Sequence, residues 1–72
     1  MLKIRDMRED RDLTQKQISQ LLDCTQQTYS RYETGETTID IYNLIKLAQF
    51  YNTSTDYLLG LTNEIMPYPR IK

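Results

Sequence analysis

An all-α fold of five short helices is predicted by three observations. Apolar residues recur at helical spacings, with no clear strand alternation. Chain breakers are scarce: two glycines and two prolines in 72 residues, with the prolines late, at Pro67 and Pro69. A Ser, Thr or Asp that can accept an orphan backbone N–H stands ahead of four of the periodic stretches. The length allows one domain with a small core. The balance of 39% apolar to 26% charged residues is ordinary for a folded soluble domain.

The first helix is expected over about Leu2 to Arg11, with Ile4 and Met7 on one face. Arg5, Arg8 and Arg11 recur at every third residue and form a stripe. Thr14 is the natural cap of the second helix, and Gln17 completes a capping box with it. Ile18, Leu21 and Leu22 make its buried stripe, and Ser19 is small where the next helix must cross. Asp23 and Cys24 form the break. Thr25 caps the third helix, which stops before Gly35, a residue that takes left-handed backbone at little steric cost.

Asp40 caps the fourth helix, whose expected apolar stripe is Ile41, Leu44, Ile45, Ala48 and Tyr51, and Asn52 ends it. Ser54 caps a short fifth helix through Leu59, with Asp56 in its first turn and Gly60 as its stop. The domain is therefore expected over residues 1–60. Residues 61–72 read as a tail, because Pro67 and Pro69 oppose helix. No internal repeat or low-complexity run is present.

Several function classes are disfavoured by composition. The single cysteine, Cys24, excludes an internal disulfide, and with no evident signal peptide a cytoplasmic protein is expected. Cys24 itself reads as a small packing residue. No apolar run approaches the ~20 residues of a membrane span. With no histidine and one cysteine, no zinc site is expected. No phosphate loop, paired buried carboxylates or activated nucleophile can be assembled, so no catalytic residue, metal, cofactor or small-molecule ligand is expected. The net charge of −1 lacks the usual basic footprint of a nucleic-acid binder. Between Leu13 and Tyr32, however, the only acid is Asp23, set against Lys16 and Arg31, so one face can be locally positive.

That face is carried by the third helix. With Gln26 at zero on a wheel of about 100° per residue, Ser30 falls near 40°, Gln27 near 100° and Arg31 near 140°; Tyr29 and Tyr32 fall near 300° and 240°. The polar arc lies opposite the aromatic one. A glutamine amide holds a donor beside an acceptor and matches adenine N6 and N7 in the major groove; arginine matches guanine or a phosphate. Gln26, Gln27 and Arg31, with Thr25, are the candidate base readers. Thr28 and Ser30 are candidate phosphate contacts. Gln15, in the first turn of the second helix, is positioned to clamp the DNA backbone, and Lys16 can add charge.

The runs LTQKQISQLLDCTQQTYSRYETG and IDIYNLIKLAQFYNTSTDYLLG resemble the helix-turn-helix domain of the phage repressor and Cro family, also called the Xre type. The resemblance covers about residues 4–60 and implies a five-helix, lambda-repressor-like DNA-binding domain with a short C-terminal extension. Phage repressors and Cro are the reference examples of its docking geometry. It implies a phosphate contact by Gln15 and base contacts by Thr25, Gln26 and Gln27. The TQQ run is particularly like that of a lambdoid phage repressor whose two glutamines read base pairs. Arg31 falls where the family places a base or phosphate contact. Glu33 matches a family glutamate that pairs with a first-helix arginine, here Arg8. Such a pair has a physical reason, since Glu33 lies about 20° from Gln26 on the wheel and an unpaired carboxylate there would repel phosphate.

The chain departs from the family at Asp23, where glycine is usual, although aspartate tolerates left-handed backbone better than most residues. It departs again at Glu36, Thr37 and Thr38, where a basic residue often meets the DNA backbone, and at Tyr29, where a smaller aliphatic is common. Tyr29, Tyr51 and Tyr57 are expected in or at the edge of the core; Tyr32 and Tyr42 are left open.

The resulting expectation is a sequence-specific regulator of transcription, acting as a repressor by occupancy. It would bind a two-fold double-stranded DNA operator as a homodimer and read the major groove with the helix at about residues 25–34. The apolar tail residues Leu61, Ile65, Met66, Tyr68 and Ile71 would fold back or, by preference, contact a second subunit. The alternative is an antitoxin-like protein-interaction module on the same fold, suggested by the acidic pI and the apolar tail.

Overall fold

Side-chain caps set where the helices begin. The computed structural model describes residues 2–67, and among them the order is α1 Ile4–Asp10, α2 Gln15–Leu21, α3 Gln26–Thr34, α4 Ile41–Phe50 and α5 Thr55–Leu58. Thr14, Thr25, Asp40 and Ser54 each accept the backbone N–H three residues on, at the heads of α2 to α5. At α2 the Gln17 side chain also accepts from the Thr14 N–H at 2.8 Å, closing the capping box. Before α1, Lys3 offers no such cap, and the helix starts at Ile4 rather than Leu2.

All five helices end at a left-handed residue: Asp12 (φ 54°), Asp23 (55°), Gly35 (84°), Asn52 (53°) and Gly60 (79°). Aspartate and asparagine take this conformation more readily than other side-chain-bearing residues. At four closures the next N–H reaches back five residues, from Leu13 to Arg8, Cys24 to Ser19, Thr53 to Ala48 and Leu61 to Asp56, at 2.9–3.1 Å. Such bonds satisfy carbonyls that the helix end leaves unpaired. The closures place Arg11 and Leu59 just outside α1 and α5, one residue short of the expected ends.

The core draws on every helix: Ile4 and Met7, Ile18 and Leu22, Tyr29 and Tyr32, Leu44, Leu47 and Tyr51, and Leu58, with Ile39 from the loop before α4. Tyr29 and Tyr32 meet edge to face at 6.4 Å. Tyr57 and Cys24 lie at the core edge. One expectation about α4 is corrected. Ile41 and Ile45 are 64% and 40% exposed, whereas Leu47, left out of the expected stripe, is fully buried. The buried arc of α4 centres on Leu44, Leu47 and Tyr51, about 60° or more around the helix from Ile41 and Ile45. What packs against α4 selects the arc, and a run this apolar offers more than one.

The three arginines of α1 do different things. Arg5 makes an exposed pair with Glu9 at 3.4 Å. Arg11 donates to the Tyr51 carbonyl and lies 5.0 Å from that ring. Arg8 reaches α3: its Nε and Nη2 donate to Glu33 Oε2 and Oε1 at 2.7 and 3.2 Å, while Nη1 donates to the Leu13 carbonyl. The two side chains are only 12% and 4% exposed, so this is a bidentate, largely desolvated pair.

Burial would raise the Glu33 carboxyl, but Arg8 outweighs it, helped by the Tyr29 hydroxyl and Gln15, and holds it below the usual carboxylate range. The hydrogen bond to Glu33 raises the Arg8 guanidinium in turn. The Tyr29 hydroxyl lies close enough to favour the carboxylate without reaching full hydrogen-bond geometry. Burial pushes the Tyr29 phenol upward and the Tyr51 phenol up to about 12; the Tyr51 hydroxyl is buried with no protein partner.

The described part of the tail, residues 61–67, lies beside α4 and α5. The Thr53 hydroxyl donates to the Ile65 carbonyl, and Pro67 lines a hollow with Ile45 and Thr55. Leu61 and Met66 stay 73% and 62% exposed. Pro69, Tyr68 and Ile71, on which part of the tail expectation rests, lie outside the described residues.

Breaking the pair from one side leaves a buried carboxylate without its cation. Arg8→Met is expected to destabilise the domain by about 3–5 kcal/mol in urea unfolding. Because Glu33 is depressed in the folded state, its contribution is present at neutral pH. It should fade as pH falls from the ordinary carboxylate value, about 4.3, through the lower folded one. Glu33→Gln should remove that part of the acid sensitivity; an unchanged acid profile would assign it elsewhere. Tyr51→Phe deletes an unsatisfied buried hydroxyl and is expected to leave the melting temperature unchanged or raise it.

Candidate nucleic-acid interface

α2 and α3 are joined by the turn through Leu22, Asp23 and Cys24. The left-handed Asp23 swings the chain, and the Cys24 N–H bond to Ser19 locks the swing. Ser19 is 3% exposed and its hydroxyl donates to the Lys16 carbonyl at 2.8 Å, which lets the helices approach with no unpaired polar group between them. Tyr29 and Tyr32 anchor α3 from beneath.

The opposite face of α3 borders an open cleft of about 510 Å³ lined by Gln15, Gln26, Gln27, Ser30, Arg31 and Glu36. The fold thus brings together five of the eight residues expected to touch DNA. Gln26, Gln27 and Arg31 are exposed, and Gln15 and Ser30 half-buried. The other three, Thr25, Lys16 and Thr28, do not line it. Thr25 caps α3 and donates to the Thr28 hydroxyl at 2.9 Å, so both hydroxyls are engaged at the helix start. Lys16 is exposed on α2.

Gln15 is not free-standing. Its Nε2 donates to Glu33 Oε1 at 3.0 Å. A primary amide has two N–H donors and a carbonyl, so this bond fixes the side chain and leaves one donor and the acceptor for another partner. The Arg8–Glu33 pair therefore extends into the cleft wall.

Glu36 enters the cleft from beyond the helix, its Oε2 3.8 Å from Arg31 Nε. Its place in the sequence, just past the helix-stopping glycine, marks it only as a departure from a basic loop; its approach to Arg31 arises from the chain reversal at Gly35. The cleft lining thus carries one positive and one negative side chain among neutral amides and a hydroxyl. No group of metal-ligating side chains occurs among the described residues, and none of the described helices is long and apolar enough to cross a membrane.

Residues 4–58 match the helix-turn-helix family. Three curated proteins of Bacillus subtilis (strain 168) are similar. The uncharacterized HTH-type transcriptional regulator YobD is 30% identical over 70 residues, 97% of this chain and 61% of the relative. The HTH-type transcriptional regulator ImmR is 36% identical over 58 residues, 81% of this chain and 46% of the relative. The SPbeta prophage-derived uncharacterized HTH-type transcriptional regulator YonR is 32% identical over 61 residues, 85% of this chain and 56% of the relative. The chain therefore spans about half the length of these relatives. No solved structure gives a significant match. The five-helix order, the α2–turn–α3 unit and the match over residues 4–58 together make this chain a member of the helix-turn-helix family of the phage repressor and Cro type.

Proposed function

We propose that this chain is a sequence-specific double-stranded DNA-binding regulator of transcription that reads the major groove with α3 and represses by occupancy. The observation that carries the reading is the grouping of Gln26, Gln27, Ser30 and Arg31 on one solvent-facing side of α3, with Gln15 beside them. Gln26 and Gln27 are assigned to adenine edges, Arg31 to a guanine or phosphate, and Thr25 to a base contact at the start of the helix. The free donor of Gln15, with Lys16, Thr28 and Ser30, is assigned to the DNA backbone. The names of the three relatives as HTH-type transcriptional regulators support the regulatory part of this reading. The role is one of binding rather than catalysis, in the cytoplasm, with no cofactor.

The chain acts as a homodimer on a two-fold operator whose half-site centres lie about one helical turn, ~34 Å, apart. The exposed tail residues Leu61, Ile65 and Met66 are assigned to contact with the second subunit. The same exposed residues, with Tyr42 at 80% exposure, favour a second reading: an antitoxin-like module that binds a different protein. Tight co-purification with such a partner, and no salt-dependent DNA binding, would select it.

Selection from a random duplex pool is expected to return a two-fold motif, with log affinity falling steeply against log salt. Gln26→Ala should weaken binding to that site by about 1–3 kcal/mol and leave random duplex nearly unaffected. An equal loss on both would remove Gln26 from base readout.

A further inference from the structure

Two acids lie by α3, and they are held differently. Glu33 is buried and committed to Arg8 and Gln15. Glu36 is 69% exposed and faces Arg31, itself 48% exposed, across 3.8 Å. Its position is set by the backbone. Gly35 turns the chain at φ 84°, the Thr37 N–H returns to the Arg31 carbonyl at 3.2 Å, and the Glu36 N–H meets the Thr34 hydroxyl, which itself donates to that same carbonyl. The loop that carries Glu36 is thus tied to the backbone of the residue it faces.

The edge of the guanidinium matters more than the strength of the pair. Exposed pairs contribute about 0–1 kcal/mol, so this contact adds little to stability. Glu36 sits on the Nε side of Arg31. The two terminal nitrogens form the other end of the planar fork, and that end pairs bidentately with guanine O6 and N7. A carboxylate on the Nε side aims the fork and competes with phosphate for the cation. On DNA, where water is displaced, the contact strengthens.

We propose that Glu36 is a positioning and specificity-determining residue: it aims Arg31 at a guanine in the half-site and keeps that cation from acting as a sequence-independent phosphate contact. The proposal rests on the DNA-reading assignment of α3. It accounts for an acid on a face that should meet a polyanion, since Glu36 lowers attraction to all DNA while sharpening discrimination at one base pair.

The test begins with sites selected by the wild-type chain from a random duplex pool. Each base pair of the winning half-site is then substituted, and binding is measured for wild type, Arg31→Ala and Glu36→Gln. Arg31→Ala is expected to abolish preference at one G·C pair, roughly tenfold in the wild type. Glu36→Gln should reduce preference at that same pair to within about threefold and leave the glutamine-dependent positions intact. It should also raise affinity for random duplex and steepen the log–log salt slope by about 0.9, as expected for one more cation free to neutralise phosphate.

Undiminished preference at the Arg31 pair in Glu36→Gln would overturn the proposal. So would a uniform loss at every position, or no base preference traceable to Arg31. In each of these cases the wild-type motif stands, and with it the DNA-reading assignment. Failure of the wild type to enrich any motif would overturn both.

Discussion

The buried pair of Arg8 and Glu33 is the constraint on which the rest of the arrangement depends. α3 must present polar side chains outward, and it carries a carboxylate only about 20° around the helix from Gln26. Left in water, that charge would sit at the edge of the Gln26 face, the one proposed to read DNA. Taken inside alone, it would cost several kcal/mol of lost hydration. Arg8 resolves both problems with two parallel N–H bonds from α1, and Gln15 adds a third from α2. One carboxylate thereby joins three helices, and the side chain expected to clamp DNA is fixed by the same group. A buried pair is weak support for stability in itself, because well-packed apolar residues often do as well. What it adds here is a direct tie of α3 to α1 and, through Gln15, to α2.

With Glu33 paired to Arg8, the charges that line the cleft are Arg31 and Glu36, and the remaining lining is neutral amide and hydroxyl. Such a surface draws little on the long-range attraction that dominates binding by basic domains. On the proposed reading, discrimination comes from hydrogen-bond geometry at base edges, where a misplaced amide leaves groups unpaired. The overall charge of −1, which at first counts against nucleic acid, fits this division. A protein with weak general attraction and a well-aimed face gains in the ratio of specific to non-specific binding, the quantity that matters among many competing sites.

The parts of this fold legible in the sequence are those governed by local chemistry. Thr14, Thr25, Asp40 and Ser54 cap because a short oxygen-bearing side chain meets an orphan N–H wherever a helix starts. Asp23 and Asn52 stop helices for an equally local reason. The parts that were not legible depend on contacts distant in sequence. α4 is apolar around most of its circumference, and only the packed structure selects Leu47 over Ile41 and Ile45. The burial of Tyr32 likewise follows from how α3 packs on the core, where its ring meets that of Tyr29 edge to face. In the cleft, the spacing within α3 was readable from the wheel, whereas the approach of Glu36 to Arg31 follows from the reversal at Gly35.

Helix length explains why so much is invested in caps and closures. α2 has 7 residues and α3 has 9. Isolated helices shorter than about 12–15 residues are marginal in water, because the first turn costs more conformational entropy than its single bond returns. Neither helix would hold its shape alone. Each is closed chemically at its start and stopped by a left-handed residue at its end, while Ile18, Leu22, Tyr29 and Tyr32 seat the pair on the core. A reading face must be rigid to within a fraction of an ångström for an amide to distinguish bases. Here that rigidity comes from fixing both ends of each helix and tying α3 to α1 through one ion pair, so a chain of this size can orient the side chains without a large core behind them.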